Sequence, residues 1–191
     1  MSAEIFRHQR NFRVLLQAMA RPGRLRRLEV GDLPSPAWAI AECLLDSQVS
    51  FCLAGSRPEE VPPEDFSAAT GSQAAGLPEA DFVFVSGPPA ESVIRAARRG
   101  RPESPEEAAT LVFSLTRRPP DPAERLRVRL SGPGIAAPEG IAPEMPGIPL
   151  PVFTALAEVN ADYPLGVDAI FLLPNGELMC LPRSTRITVE G

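Results

Sequence analysis

Residues 163 to 187 carry the densest set of side chains able to recognise a charged group. They read Y-P-L-G-V-D-A-I-F-L-L-P-N-G-E-L-M-C-L-P-R-S-T-R-I. Asp168 begins one apolar run, Arg183 follows the end of the next, and Ser184 and Thr185 stand beside it. Pro174-Asn175-Gly176 between the runs is a hairpin turn signal. Antiparallel pairing then brings Asp168 and Arg183 to the same end of a sheet. A guanidinium fork suits phosphate, phosphonate or carboxylate oxygens, and the two hydroxyls add neutral donors. The same pair also reads as an internal ion pair that clasps the ends of the hairpin. A second place is Ser131-Gly132-Pro133-Gly134-Ile135. Gly132 and Gly134 let the backbone approach a ligand closely, or serve turn geometry alone. A third is the N-terminus, where Arg7, Arg10, Arg13, Arg21, Arg24, Arg26 and Arg27 face one acid, Glu4. That local excess of +6 leaves −11 on the remainder of a chain of net charge −5. A basic end on an acidic body suits a phosphorylated ligand or an acidic partner, and equally a solvated helix face.

The inventory excludes much other chemistry. All 19 basic residues are arginine. Without lysine, no side chain can form a Schiff base to a carbonyl substrate or to pyridoxal phosphate, and no G-x-x-x-x-G-K-[ST] phosphate loop exists. The one histidine, His8, lies on or near the apolar stripe of a helix and reads as a structural residue. Cys43, Cys52 and Cys180 are odd in number, lack metal-ligand spacing and sit in apolar contexts, so buried reduced thiols are expected. There is no H-E-x-x-H, and no G-x-G-x-x-G follows a strand. Acid–base work by the 24 Asp and Glu residues stays open, but spacing singles none out. The acidic net charge gives no general case for nucleic-acid binding.

These residues need a frame, and the chain can build one. At 191 residues with 44% hydrophobic content, a single domain over 1–191 is expected. Fourteen glycines and 23 prolines make its loops stiff and turn-rich without reaching low complexity. No apolar run is long enough to span a bilayer, and Glu4, Arg7, His8, Gln9 and Arg10 interrupt any leader, so a cytoplasmic protein is expected.

Residues 4–20 are expected to form an amphipathic helix with Ile5, Phe12, Leu15, Leu16 and Met19 inward, stopped by Arg21-Pro22-Gly23. A short strand is expected over 24–30. A helix over 36–47 starts at Ser35, with Pro36 in its first position. Strands are expected at 49–54, 81–86, 110–116 and 125–130, the last with an arginine face of Arg125, Arg127 and Arg129. Helices are expected at 89–100 and 151–161, with a short one near 63–70. Ser104-Pro105-Glu106-Glu107 is a cap signature for a very short helix. A long Pro-rich loop runs from 131 to about 149, and the hairpin and Ile187–Val189 close the chain. Helices alternate with strands early and hairpins come late, which gives an α/β fold with a mixed β-sheet flanked by helices.

Four segments together carry a resemblance: F-R-V-L-L-Q-A-M-A-R-P-G at 12–23, G-R-P-E-S-P-E-E-A-A-T-L at 100–111, L-S-G-P-G-I at 130–135, and Y-P-L-G-V-D with L-P-R-S-T across 163–185. In order and span they resemble the H subunit of the bacterial carbon–phosphorus lyase system, the PhnH family. The resemblance implies a fold similar to the large domain of pyridoxal-phosphate-dependent transferases but without that cofactor. It implies a homodimer when isolated, and an assembly with the G, I and J subunits. With G, I and L it implies a part in transferring the ribose triphosphate of ATP to methylphosphonate, releasing adenine. It assigns no catalytic residue. The expectation is therefore an accessory subunit with no cofactor or metal, whose binding residues are Arg13, Gly132, Gly134, Asp168, Arg183 and Thr185. A stand-alone nucleotide- or phosphonate-binding module is the competing expectation.

Overall fold

A computed structural model describes residues 3–55, 63–88, 91–115 and 127–190. Helix α1 spans Ala3–Ala20, strand β1 Arg26–Arg27, α2 Pro36–Leu44 and β2 Ser50–Gly55. Then come α3 (Pro63–Thr70), β3 (Gln73–Ala74), β4 (Phe82–Ser86) and α4 (Glu91–Ala96). A 3-10 turn at Pro105–Glu107 precedes β5 (Thr110–Ser114) and β6 (Val128–Ser131). The chain ends with α5 (Leu150–Val159), β7 (Asp168–Leu172), β8 (Glu177–Leu181) and β9 (Arg186–Val189).

Among the described residues, seven strands form one mixed sheet in the order β1-β8-β7-β5-β4-β2-β3. The run from β3 to β7 is parallel, and β8 and β1 add antiparallel pairings at one side. The central strands read F-V-F-V-S, T-L-V-F-S and D-A-I-F-L, apolar runs of the kind required when both faces are covered. Side chains alternate between the faces. Val83, Val85, Leu111, Phe113, Ala169 and Phe171 pack with α4 and α5 on one face. Phe84, Val112, Ile170 and Cys180 pack with α1, α2 and α3 on the other. Phe113 and Phe171 stack at 5.1 Å between centroids, while Phe66 meets Phe51, Phe84 and Trp38 edge-on.

Most of the expected elements are present, with shifted ends. The expected strand over 24–30 shrinks to Arg26–Arg27, because Leu28 to Val30 leaves the sheet, with Asn11 bonded on both sides to the Glu29 backbone. Arg125 and Thr116, and the first two residues of the helix expected at 89–100, lie outside the described residues. β6 is not part of the large sheet. It pairs with β9 in a separate two-stranded ribbon, and Arg127 and Arg129 do lie on its exposed face. Gln73–Ala74 is a strand with no clear signal of its own, added at the edge of β2.

The expected inward stripe of α1 needs correction. Asn11, Leu15 and Ala18 are the buried residues, whereas Ile5, Phe12 and Leu16 are exposed. The reason is polar. Asn11 donates to the Glu29 carbonyl at 2.9 Å and accepts from its N–H at 2.8 Å. Arg7 and His8 both reach Glu42 on α2, at 3.0 and 2.9 Å. Those contacts set the rotation of the helix and turn part of its apolar arc outward.

Candidate functional site

The hairpin forms as expected: β7 and β8 pair antiparallel, and Ala169 stands opposite Leu181. Asp168 and Arg183 therefore meet at its open end, but not as two side chains. Asp168 Oδ1 accepts the backbone N–H of Arg183 at 2.7 Å. The Arg183 guanidinium turns away and donates through Nη1 to the Pro105 carbonyl at 2.6 Å. The expected side-chain ion pair is thus replaced by two bonds to backbone. Geometry explains this: Pro182 to Thr185 is a tight turn closed by a Thr185 N–H to Pro182 carbonyl bond of 2.8 Å. It presents the amide of Arg183, not the fork, to the carboxylate.

Pro105 belongs to the cap signature recognised in the sequence. Its turn is held by Gly100, at φ +77°, where a Cβ would stand 2.8 Å from the Pro105 oxygen. Arg101 adds a two-pronged pair to Glu107, at 2.7 and 3.0 Å. The glycine loop packs on the other side. Gly132 has φ +120°, and a Cβ there would lie 3.0 Å from the Ser184 carbonyl oxygen. Gly134 has φ +82°, and a Cβ there would lie 2.2 Å from the Ala20 carbonyl oxygen and 2.9 Å from Pro22. The loop is wedged between the end of α1 and the turn after β8. Glu144, farther along the same loop, accepts from Leu25 N–H at 2.7 Å and from Arg24 at 2.5 Å. Burial pushes its carboxyl upward, but these bonds outweigh it and hold the group below its ordinary range.

Gly132, Gly134, Asp168, Arg183 and Thr185 are thus brought to one place at the amino ends of the central parallel strands. Arg13 is not among them. It is exposed on α1 two turns before Ala20, with no hydrogen-bond or ionic partner among the described residues. Thr185 is buried, and its hydroxyl has no partner among the described residues. Cys180 beneath the turn is a buried free thiol, pushed up by burial and then by the Asp168 charge. Cys43 and Cys52 are free and partly covered, and burial pushes the Cys43 thiol up to about 11.

Chemically, this cluster is a set of backbone-directed bonds. His8 is remote from it, paired to Glu42 on α2. One face of the Arg183 fork is already spent on the Pro105 carbonyl. Two features escaped sequence reasoning. Pro105 as the arginine's partner lies 78 residues away, a distance that no local pattern reports. The other feature is the junction of β2 and β4. From β2 the chain moves outward to β3 through α3 on one face, and from β4 it moves the opposite way to β5 through α4 on the other. Open α/β sheets bind ligands outside the strand carboxyl ends at such a reversal. Gly55, Ser86 and Ser114 stand side by side there in register. A Cβ at Gly55 would lie 2.1 Å from the Ser86 carbonyl oxygen.

The four segments singled out in the sequence therefore converge in space. The end of α1, the turn at Pro105, the loop at 130–135 and the open end of the hairpin form one contiguous packing unit. Among the described residues no helix is long and apolar enough to cross a membrane. The chain is 32% identical over 186 residues to a protein of Stutzerimonas stutzeri named "Putative C-P lyase subunit protein HtxG", an alignment covering 97% of this chain and 88% of that one. It is 28% identical over 192 residues to "Alpha-D-ribose 1-methylphosphonate 5-triphosphate synthase subunit PhnH" of Rhizobium meliloti (strain 1021), covering 97% and 92%. Residues 1–188 match the family described as "Bacterial phosphonate metabolism protein (PhnH)", and the chain belongs to that family.

Proposed function

We propose that this chain is a single-domain, cytoplasmic accessory subunit of a carbon–phosphorus lyase assembly. In this reading it joins the G, I and J subunits, and forms a homodimer when isolated. With G, I and L it supports transfer of the ribose triphosphate of ATP to methylphosphonate, with release of adenine. It brings no complete active site of its own. The observation that carries this is the family match over residues 1–188, together with relatives whose names place them as subunits. The site agrees: its carboxylate and guanidinium are engaged by backbone, as in a scaffold. A fold like the large domain of pyridoxal-phosphate-dependent transferases belongs to the same reading, as a frame without that cofactor. A chain lacking lysine cannot bind the coenzyme as a Schiff base. Co-expression with the G, I and J subunits tests the proposal. One co-eluting complex is expected, and a chain that elutes alone while the others assemble would refute it.

A second reading is a nucleotide- or phosphonate-binding module, and one observation favours it. The reversal of chain direction between β2 and β4 places Gly55 and Ser86 at the usual ligand crevice of an open α/β sheet. Calorimetric titration of the isolated chain with ATP and with methylphosphonate separates the two readings. Binding that Gly55→Val abolishes while Arg183→Ala spares it would establish the second.

A further inference from the structure

Part of the exposed surface of α1 is apolar, beside the exposed polar residues Gln9, Arg10, Arg13 and Gln17. Ile5, Phe6, Phe12 and Leu16 are 53%, 43%, 45% and 54% exposed. The remaining large hydrophobic exposed among the described residues, Tyr163, lies elsewhere. Ile5, Phe12 and Leu16 are seven and four residues apart, so they form one ridge about 17 Å long on a helix rising 1.5 Å per residue. The ridge is not a misrotated core stripe. Turning it inward would break both bonds from Asn11 to the Glu29 backbone and expose Leu15 and Ala18.

Charge sharpens what could cover it. Arg7 is paired with Glu42 and Arg10 with Glu29. Arg13 lies between the ridge and Phe6 on the helical wheel, exposed and without an ionic partner among the described residues. The sequence from Ile5 to Ala20 contains no acidic residue. A second copy docked helix to helix would bring two Arg13 side chains to one apolar contact, with no carboxylate from either helix. Burying charge unpaired is unfavourable, so the surface discriminates against itself.

We propose that the outer face of α1 docks a companion protein subunit whose own surface is apolar, with a carboxylate opposite Arg13. This rests on the subunit reading given above and adds the surface and the partner's chemistry. Ile5, Phe12 and Leu16 are the apolar anchors, and Arg13 sets orientation and specificity. A ridge of this size is the centre of an interface rather than its whole area.

The test uses the full chain co-expressed with the G, I and J subunits. The unsubstituted chain and Ala161→Glu, an exposed control on the α5 side, are expected to co-elute with them. Phe12→Glu/Leu16→Glu and, separately, Arg13→Glu are expected to reduce recovery in the complex at least tenfold while melting at the unsubstituted temperature. Co-elution of both α1 variants at full yield would overturn the docking surface and leave the subunit reading standing. Failure of the unsubstituted chain to co-elute would overturn both. Variants that still co-elute but change from dimer to monomer in isolation would identify a self-interface and overturn the proposal. So would binding of the isolated chain to phosphatidylserine vesicles that the double variant loses.

Discussion

Replacing Gly134 by alanine is a direct test of whether the glycine loop is a wedge or a ligand cradle. Two costs add. At φ +82° an alanine sits in the left-handed region, which costs roughly 1–2 kcal/mol. Its Cβ would also stand 2.2 Å from the Ala20 carbonyl oxygen and 2.9 Å from Pro22. Both neighbours are held, one by the last turn of α1 and the other by a buried proline ring, so the backbone must move. Forced overpacking of this kind costs roughly 1–3 kcal/mol. Together the expected loss is about 2–5 kcal/mol, or about 4–20 °C in Tm for a chain of this size. Gly31 supplies the control: it has φ +58°, but no atom of the described residues lies within 4 Å of its Cβ position. Gly31→Ala carries only the conformational cost, about 2–8 °C. Differential scanning calorimetry of the isolated chain reads both. If Gly134→Ala melts with Gly31→Ala, the wedge is wrong and the loop yields. If Gly134→Ala keeps its Tm but loses nucleotide or phosphonate binding, the loop is a cradle.

Three further outcomes follow from the same geometry. Asp168→Ala leaves the Arg183 N–H without its acceptor and should cost about 1–3 kcal/mol in urea unfolding, whereas Asp168→Asn, which keeps an acceptor, should cost less. Thr185→Val removes a buried hydroxyl that has no partner among the described residues, so the isolated chain should keep or gain stability, by about 1 kcal/mol; a loss of that size would mean the hydroxyl is bonded. Acid should destabilise the fold through Asp81, which accepts from Ser50 N–H and Oγ at 2.8 and 2.7 Å and pairs with Arg98. Burial pushes this carboxyl up, but the Ser50 bonds and Arg98 outweigh it, so its folded value lies below the ordinary 3.8. Its contribution is present above 3.8 and is lost as pH falls through the lowered value, so Asp81→Asn should flatten the stability profile below about pH 4.

Much of the frame was legible because local pattern and burial agree. The apolar runs at 82–86, 110–114 and 168–172 are strands because both of their faces are covered. Ser35 and Pro36 mark the start of α2 with a real cap, Trp38 N–H to Ser35 Oγ at 3.2 Å. The hairpin and its close approach of Asp168 to Arg183 were also legible. What each side chain does there was not, since Arg183 chooses a carbonyl 78 residues away. The wide apolar arc of α1 illustrates the limit best. Periodicity shows that Ile5, Phe12, Leu15 and Leu16 share a broad face, but not which part is buried. That choice rests on Asn11, His8 and Arg7 and their partners at 29 and 42. The separation of β6 and β9 from the main sheet, and the direction reversal between β2 and β4, are properties of topology that leave no mark on any single segment.

In the proposed reading this chain is needed by an assembly and does no complete chemistry alone. Reconstitution measures it directly: ATP and methylphosphonate are incubated with the G, I and L subunits, with and without this chain, and adenine release is followed by chromatography beside phosphorus NMR of the phosphonate. Adenine and a ribose-linked methylphosphonate are expected only when this chain is present with the other three, and neither when it is alone. Equal turnover without it, or turnover by the isolated chain, would refute the accessory-subunit reading.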